Sequence, residues 1–287
     1  MRKKNSLSPI TIELSGGIGN QLFQLCAAVI VSQRTGREFR LDTLNLVLSM
    51  LPRLQQRRLL IGELLAKHEL HSAAAAWFLR LSNPKLGYLL EDGPLDDSIS
   101  RVSTSTRRMF GYFQRFEVAE EASSDIFGRL KSSTVGNTIL RSMPEKYIVV
   151  HVRRGDYLKP RVQSYHGLIG QDYFIDAIRH ASSVTGLHDV RIISDDPAAA
   201  YSLLAKPLFT EGFTLMPAGQ GSEWRDLGVL ANSSAVVMSN SSFSWWGGYF
   251  AFKQHGALVV APVPWYAKGN NVESILFSRD WHSINRL

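Results

Sequence analysis

The stretch "HVRRGDY", His151 to Tyr157, sets two guanidinium groups side by side directly after "YIVV", a run that reads as a buried strand. Neighbouring guanidiniums repel one another, and burying them without a partner is costly. An anion resolves that cost. The paired N–H donors of an arginine fit a diphosphate in a way the point charge of a lysine does not. Arg153 is therefore the expected phosphate ligand. Alternation along an extended chain puts His151 and Arg153 on one side and Arg154 on the other. Arg154 is expected to form a supporting salt bridge, with Asp156 as its candidate partner.

Three further groups stand in the same kind of place, just past a strand. In "GGIGNQ", Gly16 to Gln21, glycines at a strand-to-helix turn let a ligand approach the backbone, and the helix start favours an anion. The spacing is not that of a dinucleotide-binding G-x-G-x-x-G loop. Asn20 and Gln21 add side-chain amides; a plain tight turn capped by Asn20 is the alternative. In "ISDD", Asp195 or Asp196 can hold a guanine edge or ribose hydroxyls. Pro197 follows, so a helix cap explains the pair equally well. Adjacent aspartates of this kind are weak evidence for magnesium. In "SNSSFSWWGG", Ser239 to Gly248, serines and an asparagine precede a helix beginning near Phe243. Hydroxyls and helix-start N–H groups can hold a phosphate there, or merely cap the helix. Trp245 and Trp246 read as core.

These groups need a scaffold that brings strand ends together. "PITIEL", the helical run that stops at Gly36, and "REFRLD" form a βαβ unit with a right-handed crossover. "RRMFGYFQRF" holds a short strand or a docking loop, and "SAAAAWFLRLSN" and "EVAEEASSDIFGRLKSS" read as helices. In the second half, "KYIVVHV", "DVRIISDD", "FTLMPA", "AVVMSNSS" and "ALVVAP" read as strands, the last of these closing the series. "QDYFIDAIRHASSV", a segment opened by Pro197, "EWRDLGVLANSS" and "FSWWGGYFAFKQHG" read as the helices between and beside them. Alternating Val/Ile-rich strands and helices imply parallel sheets covered on both faces. The expected fold is α/β, with two doubly wound, Rossmann-like domains joined near Arg141 to Glu145. The active site is expected in the cleft between them, at the carboxyl ends of the strands.

Composition narrows the partners. The 287 residues are 45% hydrophobic and 20% charged, with a formal net charge of +7. That balance favours anionic partners such as nucleotides. The interleaved aromatic and basic residues of an RNA-binding module are absent, so nucleic acid is not expected. No apolar run reaches the ~18 residues of a membrane span, and "MRKKNSLSPITIEL" lacks the apolar core of a signal peptide. One cysteine, Cys26, excludes a disulfide framework or a zinc cluster built on cysteines; it reads as a small core residue. The expected location is cytoplasmic. The basic segment "PRLQQRRLLIGELLAKHEL" reads as an amphipathic helix from Pro52. Its main reading is a solvated face, its lesser one a peripheral contact with the inner face of the membrane.

"GGIGNQLFQ", "GYFQ" at Gly111 to Gln114, "HVRRGDY", "ISDD" and "SNSSFSWW" together resemble the bacterial α-1,2-fucosyltransferases of glycosyltransferase family 11. The resemblance implies a GT-B-like fold, with an acceptor-side domain over 1–142 and a nucleotide-sugar-binding domain over 143–287. It implies GDP-L-fucose as donor, no cofactor or metal, and inverting transfer to the 2-hydroxyl of a glycan, often galactose, soluble or lipid-linked. By the same resemblance Arg153 takes the β-phosphate. His151 and Asp195 or Asp196 lie near base and ribose, Ser241 and Ser242 reach the phosphate beside Phe243, and Gly17 and Asn20 face donor and acceptor. Asp156 is the candidate base, unless Arg154 holds it. "WWGGYF" replaces a more usual "WWAAWL", and its glycines are expected to loosen the helix start.

Overall fold

The computed structural model describes residues 8–49, 57–71, 77, 88–90, 95–103, 105–158, 160–216, 221–267 and 272–286. The chain divides into two compact units, Met1–Ser133 and Thr134–Leu287. The division falls ahead of the junction expected near Arg141. The reason is local: the short helix Gly136–Ile139 packs against the helix Glu223–Ala231 of the second unit.

In the first unit the strands are β1 (Ile10–Glu13), β2 (Phe39–Asp42), β3 (Leu70–His71), β4 (Tyr88–Leu90) and β5 (Arg108–Phe110). They form a parallel sheet in the order β3-β2-β1-β5-β4. The chain leaves β1 toward β2 and β3, then returns to the other side of β1 with β4 and β5. The topological switch point, where connections diverge and leave a crevice at the carboxyl edge, lies between β1 and β5. The helix Ile18–Thr35 follows β1. It is buried along most of its length and ends on Gly36, whose φ of 66° is the left-handed stop that favours glycine.

The second unit contains β6 (Glu145–Val152), β7 (Asp189–Ser194), β8 (Thr214–Met216), β9 (Ser233–Val237), β10 (Leu258–Val263) and β11 (His282–Asn285). All neighbours are parallel, in the order β11-β10-β9-β6-β7-β8. The switch point falls between β6 and β9. Ile148, Val150 and Val152 share a core with Tyr173, Phe174 and Ile178 of the helix Gln171–Thr185. That alternation assigns the opposite face of β6 to Tyr147, Val149 and His151.

Three expectations change. "ALVVAP" is not the final strand, because β11 adds in parallel to β10. The segment 57–71 carries two short 3-10 turns, Gly62–Leu64 and Lys67–Glu69, rather than a continuous amphipathic helix; residues 52–56 lie outside the described residues, as does most of "SAAAAWFLRLSN". The glycines of "WWGGYF" do not loosen their helix, which runs unbroken over Ser242–His255. They allow close packing instead. A Cβ on Gly247 would lie 2.4 Å from Leu230 Cβ, and one on Gly248 would lie 3.1 Å from Val259 Cγ1. Trp245 and Trp246 beside them are fully buried, as expected of core.

Candidate functional site

At the second unit's switch point, His151 lies one residue before the end of β6 and Ser239 follows β9. Their side chains meet across it, His151 Nδ1 lying 2.8 Å from Ser239 Oγ. His151 is only 3% exposed. Burial, with Arg153 adding repulsion, pushes its imidazole down to about 3, so it is neutral near pH 7. It acts through a hydrogen bond and not as a cation. Phe243 packs on the same ring at a centroid distance of 5.1 Å.

On the other side of β6, Asp195 follows β7 and holds both arginines in place. Its Oδ2 lies 3.0 Å from Arg153 Nη1, and its Oδ1 accepts the backbone N–H of Arg154 at 2.8 Å. The guanidinium of Arg153 also lies over the Tyr157 ring, 5.4 Å from its centroid. Gly155 explains how the carboxylate comes so close: a Cβ there would sit 2.2 Å from Asp195 Oδ2. The described ion pair of the motif is therefore made by Arg153, while Arg154 contributes its backbone. The Arg154 side chain is buried, and burial lowers its pKa against the opposing pull of Asp195. The side chain of Asp156 lies outside the described residues. Asp196 accepts from the Ala199 N–H at 3.1 Å and caps the helix Pro197–Thr210.

The serine-rich stretch divides its work. Ser241 is the N-cap of Ser242–His255 and accepts from the Phe243 N–H. Ser244 is buried and donates to the carbonyls of Ser239 and Ser241. Asn240 fastens neighbouring loops: its amide donates to His166 and Trp265 carbonyls at 2.7 and 3.2 Å, and its own carbonyl accepts from Tyr157 Oη at 2.9 Å. Ser239 and Asn240 were not singled out as site residues from sequence. The available signal was their place between a strand and a capped helix.

At the first unit's switch point the chemistry rests on amides. Gly17 is the N-cap of Ile18–Thr35 and has no side chain to cap it. Gly16 takes a φ of 75°, and a Cβ there would strike Asn20 Nδ2 at 2.3 Å. Asn20 Oδ1 accepts from Gln114 Nε2 at 2.7 Å, and Gln24 Nε2 donates to the Gly111 carbonyl at 2.9 Å. The "GGIGNQLFQ" and "GYFQ" motifs are thus joined directly across β1 and β5. Gln21 is fully buried; it donates to the Arg58 carbonyl and accepts from the Leu60 N–H. This latch fixes the segment 57–60, and Arg57 Nη1 comes within 3.6 Å of where a Gly17 Cβ would stand. Arg57 is a further candidate that sequence reading missed, since it lies far from any motif.

Comparison with known proteins places this pattern. The chain is 27% identical to an O-antigen biosynthesis glycosyltransferase, WbnK, of Escherichia coli, over 94% of this chain and 99% of that protein. It is 24% identical to an alpha-1,2-colitosyltransferase of Escherichia coli, over 91% of this chain and 94% of the other. A galactoside alpha-(1,2)-fucosyltransferase 1 of Homo sapiens matches at 25% identity over 46% of this chain and 34% of its own length. The family model for Glycosyl transferase family 11 matches residues 3–285, and the chain belongs to that family of glycosyltransferases.

Proposed function

We propose that the protein is an inverting glycosyltransferase that moves L-fucose from GDP-L-fucose to the 2-hydroxyl of a galactose-containing glycan, with protein groups in place of a metal. The observation that carries the reading is Arg153, held by Asp195 and Tyr157 at the second switch point. Breaking the C1–O bond to the diphosphate leaves negative charge on GDP, and that charge is the largest electrostatic demand of the reaction. A fixed guanidinium meets it without reorganising; such donors are worth about 3–4 kcal/mol each in the transition state. The start of the Ser242–His255 helix adds N–H dipoles on the neighbouring strand end. Neutral His151, with Phe243 against it, supplies an uncharged, hydrogen-bonding surface suited to base or ribose. The names of the fucosyl- and colitosyltransferase relatives support transfer of a 6-deoxysugar and an α-1,2 linkage.

One specific observation favours a second reading. The colitosyltransferase relative spans nearly the whole chain, so GDP-colitose is the rival donor. The deciding experiment offers GDP-fucose, GDP-colitose, UDP-sugars and dTDP-sugars with a panel of β-galactosides, with and without EDTA, and assigns the product linkage by NMR. The proposal expects an α-1,2-fucosylated product from GDP-fucose at a rate EDTA does not change. Preference for GDP-colitose replaces the donor; preference for a UDP- or dTDP-sugar, or loss of activity with EDTA, overturns the proposal.

A further inference from the structure

The "GYFQ" turn carries no charged side chain, yet it is built with unusual constraint. Gly111 to Gln114 follow β5 directly at the first unit's switch point. Phe113 adopts a φ of 52°, in a region that bulky L-residues avoid. Such a conformation costs on the order of 1–3 kcal/mol and persists only where the surroundings impose it. Here they do: the Phe113 ring is 1% exposed, Gln24 holds the Gly111 carbonyl, and Gln114 donates to Asn20. The result is that Tyr112, between two anchored residues and two positions before Gln114, stays 45% exposed. Phe110 backs it, ring centroids 6.4 Å apart. Burying Phe113 at the cost of strain while leaving a tyrosine outward makes sense if the tyrosine face is to be used.

We infer that the Gly111–Gln114 turn is the acceptor-sugar site, with the Tyr112 ring packing against the sugar and the Gln114 and Asn20 amides taking its hydroxyls. The chemistry of a galactoside fits: its axial 4-hydroxyl leaves one ring face as a continuous patch of C–H groups, which packs on an aromatic face. Amides both donate and accept, as hydroxyls do. Because Tyr112 is exposed and its neighbours are not, Phe113 serves as a positioning residue and Tyr112 as the binding residue.

This inference rests on the glycosyltransferase reading but is testable apart from the donor. Lactose binding is measured by saturation-transfer NMR on the parent chain and on Tyr112→Ala and Tyr112→Phe, with GDP affinity measured by calorimetry on the same samples. The expectation is lactose affinity weakened about tenfold in Tyr112→Ala, the loss typical of one aromatic contact, near-parental affinity in Tyr112→Phe, and GDP affinity unchanged in both. In turnover, the loss should fall on the acceptor KM and leave kcat near the parental value. Equal lactose binding by parent and Tyr112→Ala, no lactose binding by the parent, or a parallel loss of GDP affinity overturns the inference. Failure of the parent to bind GDP strikes the donor proposal and leaves this one to stand or fall on lactose.

Discussion

The two switch points use the same architecture for opposite chemistry. In the first unit, Glu13 at the end of β1 is paired with Arg108 of β5, and both are buried, while Arg57 approaches the turn at Gly17 from outside the sheet. What the described turn presents is amide and aromatic, Asn20, Gln114 and Tyr112. In the second unit, two arginines share Asp195, and an exposed fraction of 21% leaves the Arg153 side chain open to a ligand. A parallel sheet fixes only where a crevice forms; on the proposed reading, the residues just beyond β1 and β5, or β6 and β9, decide whether it receives hydroxyls or phosphate.

The largest expected effect comes from removing the charge on one side alone. Arg153→Ala should lower kcat/KM by about 10²–10³ with a native circular dichroism spectrum, because a donor aimed at the departing charge is lost while the core of β6 is untouched. GDP affinity should fall, lactose affinity should not. If both fall together, the contrast between the two crevices is wrong. A near-parental rate would remove Arg153 from the chemistry.

A finer cut leaves every charge in place. Gly155→Ala puts a methyl only 2.2 Å from the present position of Asp195 Oδ2. The carboxylate must swing away, freeing Arg153 from its 3.0 Å contact. GDP affinity should drop about tenfold, roughly one charge-assisted hydrogen bond of orientation, with lactose binding again unaffected. Calorimetry on this variant separates an oriented guanidinium from one that only supplies positive charge; unchanged GDP affinity would show that orientation by Asp195 is unimportant.

Much of this scaffold was legible in the sequence, because its signals are local. β-branched runs mark β1, β6, β7, β9 and β10, and glycines in the left-handed region stop the helices at Gly36, Gly186 and Gly256. Strand β11 escaped because "HSIN" is short, polar and mostly exposed; its pairing with β10 is a tertiary fact. Site motifs were visible one by one, but their partners were not. Asn20 meets Gln114 across 94 residues and His151 meets Ser239 across 88. No spacing rule carries that far. The "ISDD" pair shows the limit most clearly: two identical carboxylates separate into a helix cap, Asp196, and a ligand of two arginines, Asp195. Only the direction of the chain after β7 decides which is which.

The last test reads a slope rather than a single loss. His151 is held near 3, against about 6.5 in the unfolded chain. Between those values the unfolded state binds a proton that the folded state refuses, so stability is complete above about pH 6.5 and falls as pH drops toward 3. One such group contributes about 1.4 kcal/mol per pH unit across that window. His151→Asn keeps a hydrogen-bonding partner for Ser239 and removes the titration. Urea denaturation at intervals from pH 7 to pH 4 should give a shallower fall for the variant than for the parent. The comparison between crevices sharpens it, since the first unit's amides at Asn20 and Gln114 carry no proton to lose. Asn20→Ala should shift stability by a constant amount at every pH and leave the slope alone. Equal slopes for His151→Asn and parent would mean that the imidazole ionises in place, and the neutral, base-facing surface assigned to it would have to be given up.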